Sequence, residues 1–215
     1  MSGADEAPGA NDTETSEMTR VTCDMSVSVD GFAAGPNQTA EKPFGDGPVD
    51  RLHQWMFEQP EANAAEIDAI VASGAFVMGR HMFGPGRGAW DESWKGWWGD
   101  DPPYHAPVFV LTHHPREPVE MQGGTTFTFV TGGIESALAQ AREAAGSGDV
   151  AIAGGASTVN QCLAAGVIDE LRLHVVPVVL GVGERLFDGV GALSLERVGV
   201  NASDLVTHLT YRVIR

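Results

Sequence analysis

Three short segments combine an apolar run with glycine, basic or hydroxyl residues at its end. They are V-M-G-R-H-M-F at 77–83, V-F-V-L-T-H-H at 108–114 and V-A-I-A-G-G-A-S-T at 150–158. Paired glycines let a ligand approach the backbone closely, and a helix that begins after them offers free N–H groups. In a parallel sheet such strand ends share one edge, where ligands of α/β proteins bind. Together the segments predict a site for a phosphorylated cofactor.

The charge of the chain limits how an anion can be held. Its 29 acidic residues outnumber its 13 lysines and arginines, which gives a net charge of −16, and its lysines are Lys42 and Lys95. Without a basic stripe to neutralise phosphates, nucleic acid and anionic membranes are excluded as partners. An anionic ligand must therefore be bound locally, by helix N-termini and a few arginines.

Other sequence features indicate a cytoplasmic protein that does not span a membrane. No apolar run approaches the roughly 20 residues that a membrane span needs, and the N-terminus lacks the pattern of a signal peptide. The two cysteines, Cys23 and Cys162, lie far apart in apolar runs without metal-ligand spacing, so we expect them to be reduced and buried. The adjacent His113 and His114 cannot share a metal in the way that helical i, i+4 histidines do, and we predict no metal site.

The elements that must position the three segments alternate between strand and helix. Residues 1–20, with five acids and Arg20 as the one base, predict an acidic flexible tail, and residues 21–215 predict a single domain. Alternation over 21–29 predicts the first strand. The further predictions are helices over 49–57, 61–73, 134–145 and 156–165, and strands over 75–79, 107–112, 125–130, 149–155, from 170 onward, 193–200 and 205–214. This order predicts an α/β fold with a mostly parallel mixed sheet and antiparallel C-terminal strands.

One stretch matches a dinucleotide-binding pattern but lacks the structural context that the pattern needs. The stretch G-P-G-R-G-A at 84–89 fits the dinucleotide pattern G-x-G-x-x-G/A. That pattern binds pyrophosphate only where a strand leads directly into a helix, whereas Pro85 and further loop residues surround these glycines.

An ordered set of motifs carries a resemblance to a known family. The set is S-V-D-G-F-A-A-G, V-M-G-R, V-F-V-L-T, I-A-G-G-A-S and finally G-V-I-D-E-L-R-L-H-V-V-P-V-V-L-G-V-G-E-R-L-F. It resembles the dihydrofolate reductase-like superfamily over about residues 21–215, and within it the branch of the riboflavin-biosynthesis reductase, the C-terminal domain of a bifunctional deaminase-reductase. The resemblance implies a three-layer αβα fold that binds NADPH, hydride transfer to a small nitrogen heterocycle, and a homodimer.

The resemblance also assigns cofactor-binding residues. It implies that Arg80 contacts the 2′-phosphate, and that His81 and Met82 present backbone N–H groups to the pyrophosphate. The family usually has a hydroxyl residue at the position of Met82, so one side-chain hydrogen bond to phosphate should be missing. Its loss should weaken cofactor binding by about 1–3 kcal/mol if nothing replaces it. The remaining candidates flank the adenosine, the pyrophosphate and its ribose, or the nicotinamide: Gly79, Leu111, Thr112, His113, Gly154, Gly155, Ala156, Ser157, Thr158, Val27, Ala34 and Gly35.

Two carboxylates are candidate catalytic residues. Asp30 matches a position used by riboflavin-type reductases, and Asp50 stands roughly where folate reductases place their substrate-binding carboxylate. Such a group would donate a proton or orient the heterocycle. The alternatives are a turn residue beside glycine for Asp30 and a helix N-terminal acid for Asp50.

Four tryptophans, Trp90, Trp94, Trp97 and Trp98, fall within nine residues. If the stretch is helical they share one face. They could form an aromatic wall that stacks a planar substrate, anchor an insertion to its own domain, or form a dimer contact.

The three segments predict a phosphorylated cofactor, and the resemblance implies an NADPH-dependent reductase with a small heterocyclic substrate, similar to 5-amino-6-(5-phosphoribosylamino)uracil reductase. Two alternatives remain open. One is reduction of dihydrofolate, another pterin or another small molecule, and the other is a non-catalytic NADP-binding module.

Overall fold

The structure, a computed structural model, describes residues 19–215. The predicted acidic tail over 1–20 lies almost wholly outside the described residues. The strands are β1 (Val21–Ser28), β2 (Phe32–Ala34), β3 (Ala75–Gly79), β4 (Pro107–Leu111), β5 (Val119–Glu120), β6 (Thr126–Val130), β7 (Val150–Gly154), β8 (Glu170–Val176), β9 (Glu184–Arg185), β10 (Ser194–Ser203) and β11 (Val206–Ile214). The helices are α1 (Gln54–Glu58), α2 (Ala64–Val71), α3 (Arg80–Phe83), α4 (Gly133–Ala145) and α5 (Ala156–Ala164), with 3-10 turns at Val49–Leu52 and Gln122–Gly124.

A nine-stranded sheet forms the centre of the described chain, in the order β10-β11-β8-β1-β7-β3-β4-β6-β5. The six strands from β8 to β6 are parallel, while β10 and β11 at one edge and β5 at the other are antiparallel. Parallel strands need crossover connections, and α4 and α5 provide two of them. The predicted fold class, mostly parallel with antiparallel C-terminal strands, is confirmed.

Apolar side chains cover both faces of this sheet. On one face, Val21, Cys23, Met25 and Val27 of β1 pack in a cluster with residues of α4 and α5. On the other face, an aromatic cluster lies over β3, β4 and β6, and a smaller one around Trp55 lies over the end of β8. The sheet therefore lies between two layers, as the three-layer prediction requires.

Two predicted helices differ from the structure. The helix expected over 49–57 is a 3-10 turn at Val49–Leu52 followed by α1, and the helix expected from residue 61 begins only at Ala64. The reason for the second difference is Asn63, whose buried side chain donates to the carbonyl oxygens of Trp55 and Gln59 at 3.3 and 2.7 Å. These bonds fold residues 59–63 into a turn that delays the helix.

Both cysteines are free and buried, as predicted. Burial raises the pKa of Cys162 to about 12 and raises that of Cys23 as well. Each thiol therefore stays protonated at neutral pH and is a packing group rather than a nucleophile.

Candidate functional site

The three predicted segments lie side by side at the carboxyl edge of the sheet. Strands β7, β3 and β4 are consecutive neighbours, so their C-terminal ends meet there. Gly79 is the register partner of Leu111, and Met78 is the partner of Gly154. Met78 and Gly154, 76 residues apart in the chain, are thus adjacent in the fold.

Glycines keep the backbone of this edge accessible. Gly155 is the N-cap of the nine-residue helix α5, and its carbonyl accepts from the N–H groups of Thr158 and Val159. The N–H groups of Ala156 and Ser157 lie in the first turn of α5 and have no intrahelical partner, so they are available to an anion. The Gly154–Gly155 peptide bond is cis, and Gly154 has φ +114°, which favours glycine.

Gly79, the last residue of β3, packs closely against the residues that end β7 and begin α5. A Cβ added at Gly79 would overlap the hydroxyl oxygen of Thr158 on α5. A Cβ added at Gly154 would instead lie 3.7 Å from the Met25 sulfur and 3.9 Å from the Met82 sulfur. The side chain of Met82 therefore lies near the paired glycines.

Arg80 opens α3 directly after Gly79 and is half-buried. Its guanidinium donates to the carbonyl oxygens of Gly86 and Ala89, at 2.9 and 3.5 Å, and lies 3.8 Å from the centre of the Trp90 indole. Trp90 is fixed in turn by a 2.8 Å hydrogen bond to the carbonyl of His114. Arg80 thus holds the 86–90 loop and still has donors left for a phosphate.

The other predicted cofactor residues occupy different environments. Thr112 is buried, and its hydroxyl is engaged with the backbone of His114, while the side chains of His81 and His113 are exposed. Val27 and Ala34 are buried apolar residues at 4 and 7% exposure. A Cβ at Gly35 would overlap the Asp46 carbonyl, so close backbone packing explains this glycine without a ligand.

Asp30 lies in the turn after β1, and its carboxylate is held by three donors. Oδ1 accepts from the Ser28 hydroxyl at 2.6 Å and from the N–H of Leu180 at 3.1 Å, while Oδ2 accepts from the N–H of Gly181 at 2.7 Å. The Ser28 hydrogen bond, helped by the two backbone N–H groups, lowers the pKa of Asp30 to about 2. The carboxylate is therefore ionised at neutral pH and cannot serve as a proton donor there.

The environment of Asp50 differs from that of Asp30. It lies exposed on the 3-10 turn at Val49–Leu52, whose apolar members Val49 and Leu52 are buried in the Trp55 cluster. Among residues 19–215 its carboxylate accepts no hydrogen bond. This position matches a helix N-terminal acid and leaves the group free to meet a ligand.

The tryptophan segment is an irregular loop anchored to its own sheet. Residues 90–98 contain no helix, so the shared helical face does not exist. Trp94 donates to the carbonyl of Phe83 at 2.9 Å, and Trp98 packs against Tyr104 and Phe127 with ring centres 5.1 and 5.8 Å apart. These contacts favour the interpretation as an insertion anchored to its own domain.

Sequence reasoning missed two side chains that shape this edge. Arg185 of β9 donates to the carbonyl of Asp30 at 3.1 Å and lies over the Phe32 ring at 4.3 Å. Asn160 of α5 bonds to the carbonyl of Arg185 and the N–H of Phe187, at 2.9 and 2.7 Å. Strands of two or three residues carry no periodicity, so the position of Arg185 within G-V-G-E-R-L-F and of Asn160 in the helix after the glycines could be noted, but their pairing could not be predicted.

Residues 19–215 contain no group of three or more His, Cys, Asp or Glu side chains arranged to hold a metal ion. Within the same residues, no helix is long and apolar enough to cross a membrane.

Comparison with known proteins agrees with this geometry. The family model of the RibD C-terminal domain matches residues 19–209. No curated protein matches the chain significantly. A solved structure of a Shewanella sp. PV-4 protein assigned to riboflavin biosynthesis superposes with a TM-score of 0.66 at 23% identity, covering 92% of this chain and 100% of that one.

Two further structures share the fold. The Thermotoga maritima diaminohydroxyphosphoribosylaminopyrimidine deaminase/5-amino-6-(5-phosphoribosylamino)uracil reductase has a TM-score of 0.58 at 15% identity, and the match covers 93% of this chain but 58% of that one. Enterococcus faecalis dihydrofolate reductase, complexed with NADP(H), has a TM-score of 0.55 at 14% identity over 92% of this chain and 98% of that one. At these identities the likeness establishes the fold.

Proposed function

The chain belongs to the RibD C-terminal domain family and is a reductase of that type, and on this premise we propose that its cofactor is NADPH and its substrate a ribosylamino-pyrimidine. The finding that carries the proposal is the adjacency of the Gly154–Gly155 backbone, the α5 N-terminus and Arg80 at one sheet edge. When bound, NADPH supplies a hydride to an electrophilic carbon of the substrate.

The residues of this edge fit such a cofactor. The absence of side chains at Gly154 and Gly155 would let a pyrophosphate approach the free N–H groups of Ala156 and Ser157. Arg80 would pair with the 2′-phosphate through donors that the 86–90 loop does not use. The pyrophosphate would then be stabilised by hydrogen bonds from backbone N–H groups, and the 2′-phosphate by the positive charge of Arg80.

The chain's own residues would position the substrate and exclude water. Asp30, as a fixed anion, would orient the heterocycle through its remaining lone pairs rather than donate a proton. Asp50 is the second candidate for this role because it is exposed. The proton that completes reduction must then come from water or from the substrate itself.

We also propose that residues 21–215 fold as one reductase domain that works as a homodimer in the cytoplasm. Strands from both ends of the chain lie in the same sheet, which supports a single domain. The edge strand β10 exposes Val198 and Val200, at 47 and 56%, and unprotected edge strands favour pairing with another chain. Light scattering of the purified protein tests the dimer, and a monomer mass would contradict it.

Titration with NADPH, followed by cofactor fluorescence, tests the first step. Binding is expected, and its absence at millimolar cofactor would rule the proposal out. Turnover with a panel of ribosylamino-pyrimidines and dihydropterins then identifies the acceptor. Tight binding without oxidation by any of them would identify a non-catalytic nucleotide-binding module instead.

Replacement Arg80→Ala tests the assignment of the 2′-phosphate. Loss of a charge-assisted hydrogen bond costs about 1.5–3 kcal/mol, so NADPH affinity should fall roughly tenfold to a hundredfold while NADH affinity changes little. The matched control is Arg142→Ala, at an exposed arginine on α4, which should alter neither affinity. Equal losses for both cofactors would show that Arg80 only supports the 86–90 loop.

A further inference from the structure

Arg80 brings a positive charge to the candidate site without a carboxylate partner. Its guanidinium contacts the carbonyl oxygens of Gly86 and Ala89 and the ring of Trp90. Among residues 19–215 no carboxylate pairs with it, and burial is the one cause that lowers its pKa. Neutral groups therefore fix the position of the guanidinium and leave its charge available to an anion.

The contact with Trp90 leaves the donors of Arg80 accessible. Arg80 Cζ lies over the indole, 3.8 Å from the ring centre. This distance is well within the roughly 6 Å at which an aromatic ring attracts a cation. The indole covers one face of the guanidinium, whereas the N–H donors lie at its edges, where a phosphate can accept from them.

Trp90 is itself fixed by several elements of the site. Its indole N–H donates to the carbonyl oxygen of His114, beyond the end of β4, at 2.8 Å. Its ring meets Phe129 of β6 and Phe83 of α3 edge to face, with ring centres 4.9 and 5.8 Å apart. Trp90 thus connects Arg80 to the strand ends that lie beside it in the sheet.

A second arginine holds the backbone that follows Trp90. The side chain of Arg116 is 2% exposed, and its guanidinium donates to the carbonyl oxygens of Glu92 and Trp94 at 2.9 and 2.8 Å. It also pairs with the Glu92 carboxylate at 3.1 Å and lies 5.4 Å from the centre of the Trp90 ring. The charge of Arg116 is therefore used inside the loop, in contrast to that of Arg80.

We propose that Trp90 is a positioning residue that sets the preference of this chain for NADPH over NADH. It acts through Arg80, by holding the guanidinium where its free donors meet the 2′-phosphate, and Arg116 holds Trp90 in turn. This inference rests on the proposed function, because it requires a bound dinucleotide. Of the four tryptophans at 90–98, Trp90 is the one that contacts Arg80 within residues 19–215.

Preorganisation is the physical reason for this effect. A long side chain that is free in solution loses rotamer freedom when it binds a phosphate, and this loss opposes binding. Stacking on a fixed indole restricts Arg80 before the cofactor arrives. NADH has a hydroxyl in place of the 2′-phosphate, so a well-placed guanidinium favours NADPH in particular.

Replacement Trp90→Leu, with NADPH and NADH affinities measured by calorimetry, tests the proposal. The ratio of the two affinities should fall about threefold to tenfold, which is less than for Arg80→Ala because the guanidinium remains. Adenosine 2′,5′-bisphosphate and adenosine 5′-monophosphate should show the same fall without a nicotinamide. The matched control is Trp97→Leu, at a half-buried tryptophan of the same loop that packs on Trp94, and it should keep the original ratio.

A double variant separates action through Arg80 from direct contact with the cofactor. In the Arg80→Ala background, Trp90→Leu should cause no further fall in the NADPH to NADH ratio. Trp90→Phe keeps a ring for the guanidinium but loses the hydrogen bond to His114, so it should retain part of the preference. If Trp90→Leu does not fold, Trp90→Phe alone and in the Arg80→Ala background decides.

The outcomes distinguish this inference from the proposed function. Equal losses for NADPH and NADH would overturn the inference, since Trp90 would then contact the adenine or merely stabilise the loop. Independent losses in the double variant would overturn it as well. A preference for NADPH that the Trp90 variants leave intact would refute the inference alone, whereas an unmodified protein that binds neither dinucleotide would refute the proposed function together with it.

Discussion

At the scale of single residues, Asp30 shows how local hydrogen bonds decide which role a carboxylate can have. Its three donors come from Ser28, two residues before it, and from Leu180 and Gly181, about 150 residues later. All three favour the charged form, so the group that the family resemblance marks as catalytic is a fixed anion. Such an anion can hold the turn after β1 against the segment after β8, and it can orient a substrate.

Replacement Asp30→Asn should destabilise the protein at pH 7, because an amide nitrogen would face one of these donors. The pKa of Asp30 lies below its unfolded value, so its contribution is complete above about pH 4 and is lost as pH falls toward about 2. Denaturation curves at pH 7 and pH 3 measure the difference, which should shrink at the lower pH. Asp50→Asn, at an exposed carboxylate, is the control and should match the unmodified protein at both values. A difference for Asp30→Asn that is the same at both pH values would contradict this role.

At the scale of elements, the hydrophobic period and the length of a strand determine whether the strand could be predicted from the sequence. The parallel strands were predictable because β1 alternates and β3, β4 and β7 are apolar runs bounded by glycine or proline. Strands β2, β5 and β9 have two or three residues, too few for any periodicity. Of the candidate site, the glycines and Arg80 were predictable from local motifs, whereas the Leu180 and Gly181 partners of Asp30 were not. Tertiary contacts across 150 residues leave no mark in a local pattern.

The contact between Gly79 and α5 makes a prediction at this scale. Gly79→Ala would push the Thr158 hydroxyl away, and such overpacking costs about 1–3 kcal/mol. Because the clash pushes the start of α5 away from the end of β3, cofactor affinity should fall together with stability. The double variant Gly79→Ala, Thr158→Ala removes the clashing oxygen and should recover most of both losses, with Thr158→Ala alone as the control. No recovery in the double variant would show that Gly79 is required for another reason.

At the scale of the whole molecule, the proposed function requires an acidic protein to bind an anionic cofactor. The chain carries −16, and five of its acids lie in residues 1–20. The proposed cofactor site compensates locally, through the α5 N-terminus and Arg80. Attraction therefore acts over a few ångströms, while the long-range field of the protein opposes the approach of NADPH.

The combination of short-range attraction at the site and long-range repulsion by the acidic protein predicts an unusual response of NADPH binding to salt. Salt screens interactions beyond about 10 Å at 0.1 M, so it removes the long-range repulsion more completely than the short contacts at Arg80 and the α5 N-terminus. NADPH affinity, measured by fluorescence between 50 and 500 mM NaCl, should consequently fall less than in a basic phosphate-binding protein. The association rate constant should stay level or rise as the repulsion is screened. A steep loss of affinity with salt would mean that long-range attraction supplies the binding, and the assignment of the phosphates to this local pocket would then be wrong.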